Sequence, residues 1–105
     1  MTGFIQVFIT INDKEKAKEI AGILLEKKLA ACVQISGPVT SLYRWKGNLE
    51  EDQEWLLTVK SSRALYPELE DLVRQTHPYE VPEILAVTVE LGNNDYFDWM
   101  EKELG

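Results

Sequence analysis

Three features of this chain predict an α+β fold with the element order βαββαβ and a short additional helix. Apolar residues recur at strand period and at helix period in alternating blocks. The breaks between blocks carry Gly and Pro, at Gly37-Pro38, Gly47-Asn48, Pro78, Pro82 and Gly92. A length of 105 residues with 45 % hydrophobic and 28 % charged content suits one hydrophobic core, so residues 1–105 are expected to form a single domain.

The run Phe4 to Ile11 is almost all apolar or β-branched and too short for a helix, so it reads as a buried strand. Asn12, with Glu15 three residues on, resembles a capping box, and Ala17, Ile20, Ala21, Leu24 and Leu25 follow at helical spacing. The first helix is therefore expected over about Asp13 to Lys28, with Lys27 and Lys28 at its negative end. Ala30 to Ile35 reads as the second strand. It breaks or bulges at Gly37-Pro38 and continues with Val39, Ser41, Tyr43 and Trp45 on one face. After a turn at Gly47-Asn48, Glu54 to Lys60 forms the third strand, making a long hairpin with the second.

Pro67 is tolerated in the first turn of a helix, and Leu69, Leu72, Val73 and Thr76 place the second helix over about Ala64 to Thr76. Pro78 and Pro82 bias their preceding residues to extended geometry and end it near His77. Glu83 to Leu91 reads as the fourth strand, and Asn94 or Asp95 caps a short helix carrying Tyr96, Trp99 and Met100.

This order is the ferredoxin-like arrangement, an antiparallel four-stranded sheet with two helices on one face. No linker, repeat or low-complexity segment supplies a cover for the other face from within the chain. Tyr43, Trp45, Trp55 and the aliphatic residues of the hairpin exceed what one helical layer buries, which predicts self-association.

A net charge of −7 argues against general nucleic-acid binding, for which clustered Lys and Arg are needed, and it reads either as a field that raises the local concentration of cations or as a charge that only keeps the chain in solution. No apolar run approaches a membrane span, and the first residues lack a basic signal-peptide region, so a cytoplasmic location is expected. The single cysteine, Cys32, excludes an intrachain disulfide and any CxxC motif, so a metal site here would have mixed ligands. One histidine, no Gly-x-Ser-x-Gly elbow and no Gly-rich phosphate loop point to a binding protein rather than an enzyme.

The most informative stretch is His77-Pro-Tyr-Glu-Val-Pro-Glu-Ile84. It holds an imidazole, a phenol and two carboxylates on a backbone stiffened by two prolines. His77 with Glu80 or Glu83 suits a borderline divalent metal. The same residues also read as a helix stop, with His77 bonding the last carbonyls of the second helix. Cys32, in an apolar strand, is either a small buried hydrophobe or a soft ligand completed from elsewhere in the fold or from another subunit. Lys60, Arg44 and Lys46 allow a small-anion pocket near the hairpin or simply form its wet face.

Taken together, Ala31-Cys32-Val33, Ser41-x-Tyr43-x-Trp45-x-Gly47, Glu54, Lys60, the run from His77 to Ile84, and Tyr96 with Trp99 resemble the CutA family of divalent-cation tolerance proteins along nearly the whole chain. The resemblance implies a homotrimer with hairpin arms pairing between subunits, and a role in tolerance of divalent metal ions, chiefly copper. It places Cys32, Trp45, Lys60, His77, Tyr79, Glu80 and Glu83 around a cleft between subunits. His77, Cys32, Glu80 and Glu83 are then the expected metal ligands, with Trp45, Lys60 and Tyr79 lining the cleft. Ser61 stands where Thr is usual, and the additional cysteines of some bacterial members are absent, which favours a Cu(II) or Zn site over a Cu(I) site of several thiolates. No obligatory cofactor is implied. The alternatives are a PII-like trimeric module sensing a small anion through Lys60, or a structural scaffold trimer.

Overall fold

The computed structural model describes residues 2–105. Its central strand is β1 (Phe4–Ile11), whose alternate residues Ile5, Val7, Ile9 and Ile11 are buried almost completely. β1 pairs antiparallel with β3 (Asn48–Ser62) on one side and β4 (Ile84–Thr88) on the other. β3 pairs in turn with β2 (Cys32–Trp45), giving the order β2-β3-β1-β4 expected of a ferredoxin-like sheet.

The register sets which side chains share a face. Val7 lies opposite Val59 and Ile9 opposite Leu57, and these residues meet helix α1 (Lys14–Glu26) through Ala17, Ile20 and Leu24. Helix α2 (Tyr66–Thr76), entered through a 3-10 turn at Arg63–Leu65, adds Leu69 and Val73 to the same core. Removing these branched side chains from water stabilises the body by about 1.5–3 kcal/mol for each one fully buried.

Several boundaries differ from the sequence expectation. The cap of α1 is Asp13, whose carboxylate accepts from the N–H groups of Glu15 and Lys16, and Asn12 lies outside it. α1 stops at Glu26, and Lys28 adopts a left-handed conformation with φ 58. The N–H of Lys28 then bonds the Leu25 carbonyl and that of Leu29 the Leu24 carbonyl, a Schellman closure built on lysine instead of glycine. The hairpin loop is Lys46-Gly47, both at positive φ, so Asn48 already pairs with Trp45. β3 accordingly starts six residues before Glu54. β4 is shorter than expected and confined to Ile84–Thr88.

The bulge anticipated at Gly37-Pro38 is present as a register shift between Ser36 and Val39. Gly37 has φ 147, and a Cβ there would lie 3.0 Å from both the Glu54 carbonyl oxygen and Trp55 Cδ1. Only glycine fits that approach.

Helix α3 (Asn94–Leu104), capped by Asn93, corrects the expectation that nothing within the chain covers the second face of the sheet. Phe97 stacks on Phe4 with ring centroids 5.0 Å apart, and Lys60 Nζ lies 5.5 Å from the Tyr96 ring. Phe4 and Lys60 both point away from the α1/α2 core, so α3 covers one end of that face. The cover is partial. On the same face Leu85 is 61 % exposed, and at the hairpin tip Leu42 and Leu49 are about three-quarters exposed. Among the described residues no helix is long and apolar enough to cross a membrane.

Candidate functional site

Pro78 withholds a donor and holds His77 extended at φ −78, ψ 136, so α2 ends there and the chain turns back along the sheet. The His77 backbone N–H still bonds the Val73 carbonyl, but its side chain does not bond the last carbonyls of the helix. The imidazole instead reaches β1, with Nε2 2.8 Å from the Thr10 carbonyl oxygen, while Nδ1 accepts the Tyr79 N–H at 3.1 Å. A carbonyl only accepts, so Nε2 carries the proton and His77 is the neutral Nε2–H tautomer. Both ring nitrogens are engaged, the residue is buried, and the ring meets Tyr79 edge-on at 4.6 Å.

This clamp fixes the next three residues. The Tyr79 hydroxyl donates to Glu54 Oε2 at 2.8 Å, joining the loop to the root of the hairpin arm. Further along the arm the Tyr43 hydroxyl donates to Asp52. Glu54 is 7 % exposed, and no buried side-chain nitrogen or oxygen among the described residues is left without a hydrogen-bond partner. Burial and the adjacent Glu54 carboxylate push the Tyr79 phenol well above the ordinary tyrosine value. The hydrogen bond to Asp52 pushes Tyr43 up to about 12. Both phenols are therefore fixed donors at neutral pH.

Between the arm and the loop lies a concavity of about 590 Å³. Tyr43, Trp45 and Tyr79 supply aromatic surface, and Asp52, Glu54, Glu80 and Glu83 supply carboxylates. No Lys or Arg lines it. Its size is that of an ordinary small-ligand site.

Of the residues singled out in the sequence, Trp45, Tyr79, Glu80 and Glu83 line this concavity, and His77 stands behind it. Cys32 and Lys60 do not. They are cross-strand partners at the other end of the sheet, beside Tyr96. The His77 clamp is at Thr10, which pairs with Leu56, four positions from Lys60 along β3 and so about 13 Å away. Among the described residues no three His, Cys, Asp or Glu side chains are grouped closely enough to hold a metal ion. Sequence reasoning passed over Asp52 and the pairing of Glu54 with Tyr79. The signal for Asp52 was the two-residue turn, because pairing Trp45 with Asn48 puts Tyr43 diagonal to Asp52.

Residues 5–103 match the family model described as CutA1 divalent ion tolerance protein. The divalent-cation tolerance protein CutA of Thermus thermophilus is 46 % identical over 99 residues, covering 94 % of this chain and 96 % of the relative. Human protein CutA is 47 % identical over 95 residues, covering 90 % of this chain but 53 % of the relative, so the chain spans about half the human protein. The solved Thermus thermophilus structure superimposes with a TM-score of 0.94 at 45 % identity, covering 97 % of this chain and 99 % of that one. That of CutA from Archaeoglobus fulgidus, described as a periplasmic divalent cation tolerance protein, gives 0.94 at 36 % identity with the same coverage. On sequence over nearly its whole length, and on the fold that carries the His77 clamp, this chain belongs to the CutA1 divalent ion tolerance family.

Proposed function

We propose that the chain assembles as a homotrimer and binds a divalent cation, Cu(II) foremost, at a cleft between subunits, and so contributes to divalent-cation tolerance. The observation that carries the reading is a wall of four carboxylates without one basic residue, on a chain of net charge −7. Such a wall concentrates cations. The tolerance described for the Thermus thermophilus and Archaeoglobus fulgidus relatives supports it.

Because no three ligands converge among the described residues of one chain, the reading assigns the remaining donors to a neighbouring subunit. Glu80 and Glu83, exposed on the loop, are the ligands offered from this side. Cys32, on the sheet-edge strand β2, would join only as a neighbour's contribution. With both nitrogens engaged, His77 serves as the group that fixes the loop. The outer edge of β2 and the exposed Leu42, Leu49, Leu85 and Val87 support self-association.

Solution mass together with equilibrium dialysis against Cu(II) and Zn(II) tests the reading. The expected result is a mass of three chains and saturable uptake that weakens roughly tenfold or more in Glu80→Gln with Glu83→Gln. A single-chain mass, or no saturable uptake, would overturn it.

A further inference from the structure

The carboxylate wall and the one half-buried cation of this chain lie far apart on the sheet. Of the eleven Lys and Arg residues Lys60 alone is half-buried, and the other ten are exposed. It stands on the second face of the sheet, between Gln6 on β1 and Cys32 on β2, with Nζ 5.5 Å from the Tyr96 ring. The ring lends cation–π attraction but no negative charge. Among the described residues the one ion pair within 4 Å joins Lys18 to Glu15, so neither Lys60 nor any carboxylate of the concavity has a charged partner in its own chain. Lys60 is six positions from Glu54 along β3, about 20 Å, and cannot reach that wall.

Glu54 is buried and held by a phenol, which donates a hydrogen bond but no positive charge. A buried charge is costly unless an opposite charge offsets it. Two uncompensated charges of opposite sign, on different surfaces of one chain, are what a head-to-tail contact between copies cancels. A closed three-fold ring is built from such contacts, since each copy offers one surface and receives the other. Concavity against concavity would set two carboxylate walls together, which repel. The ten exposed cations are solvated already and gain less from a partner.

We propose that Lys60 of one copy enters the concavity of the next, its ammonium against Glu54 and Asp52, so that each cleft between subunits is built from two unlike surfaces. Leu85 and Val87, which share the Lys60 face, are covered in the same contact. The pairing rests on the trimer reading above and goes beyond it in naming the surfaces that meet. It leaves Glu80 and Glu83 to the metal.

Cross-linking of the full chain tests it. Val81→Cys places a second thiol at the concavity without touching a carboxylate, and the native Cys32 marks the Lys60 end. A short bismaleimide is expected to join Cys32 of one copy to the new thiol of the next, giving a ladder of one, two and three chains on denaturing gels. Wild type, and Val81→Cys combined with Cys32→Ser, are expected to stay single. Light-scattering mass across dilution reads the charge. Lys60→Gln is expected to raise the concentration at which the trimer dissociates roughly 30-fold or more, and Lys60→Arg to keep it near wild type. Lys60→Glu dissociates the ring further, and adding Asp52→Lys is expected to restore part of it, which a merely structural lysine would not. A mass of three chains without the Cys32-dependent ladder, or Lys60→Gln dissociating as wild type does, would overturn this pairing alone. A single-chain mass for wild type sinks the trimer reading and the pairing with it, whereas a ladder without Cu(II) uptake supports the pairing and sinks only the metal cleft.

Discussion

Tyr79 and Glu54, 25 positions apart in the chain, are joined by a 2.8 Å hydrogen bond from phenol to buried carboxylate. That bond fastens the loop after α2 to the root of the hairpin arm. Tyr79→Phe removes the phenol that donates to the Glu54 carboxylate and is expected to lower unfolding stability by about 1.5–3 kcal/mol, the range for hydrogen bonds to charged groups. Urea denaturation of wild type and variant measures it. The change in Tyr43→Phe is expected to be smaller, because Asp52 is exposed to water and Glu54 is not.

The same phenols predict an alkaline limit. Tyr79, Tyr66 and Tyr43 all hold their protons more tightly in the folded chain than at the ordinary value of 10.0, through burial for Tyr79 and Tyr66 and through the Asp52 hydrogen bond for Tyr43. Above that value the unfolded chain loses phenolic protons first, so the folded state binds more protons and stability falls as pH rises. The contribution is complete below pH 10 and disappears as pH passes through the folded values. Phenolate absorbance and denaturation midpoints recorded together across that range check it, and Tyr79→Phe is expected to shallow the decline.

His77→Ala is expected to cost about 2–4 kcal/mol, from a vacated buried volume, an unmatched Thr10 carbonyl and a freed Tyr79 N–H. Nitrogen NMR of the imidazole is expected to show the proton on Nε2. A ring found protonated on Nδ1 instead would contradict the clamp.

Lys28 closes α1 in a conformation that disfavours every residue with a Cβ. Lys28→Gly relieves that strain at some cost in backbone entropy, for an expected net gain of about 0.5–1 kcal/mol. A raised thermal midpoint would show it, and an unchanged one would place the αL strain elsewhere.

At Gly37 the sign reverses. A Cβ would press on the Glu54 carbonyl oxygen and Trp55 Cδ1 at 3.0 Å, in backbone at φ 147. Gly37→Ala is therefore expected to lose about 1–3 kcal/mol, measured by thermal denaturation, and to disturb the carboxylate that Tyr79 holds.

What the sequence made legible follows from where side chains alternate. Phe4 to Ile11 was readable to the residue, because one face meets the core and its period survives intact. Asn48 to Gln53 was not, because on an arm exposed on both faces nothing forces a hydrophobic period, and Leu49-Glu50-Glu51-Asp52 reads as a wet loop. β4 stopped early for want of a partner, since β1 ends opposite it at Phe4, whose carbonyl takes the Val89 N–H. Tyr79, Glu80 and Glu83 stood out because two prolines isolate them. Asp52 did not, since its significance lies in the strand register that the two-residue turn at Lys46-Gly47 sets, and it shows only once Trp45 is paired with Asn48.

The hairpin arm also bears on the order in which the chain assembles. Trp45 and Asn48 meet across a two-residue turn, and each further rung of β2 and β3 adds little loop entropy to the one before. The seam between β1 and β4 is the opposite, since Ile5 must find Thr88 across most of the chain. Topology therefore favours early zipping of the hairpin and late closure of the seam. Native-state hydrogen exchange would register this as an opening that exposes the β4 amides while those of Leu57 and Val59 stay protected.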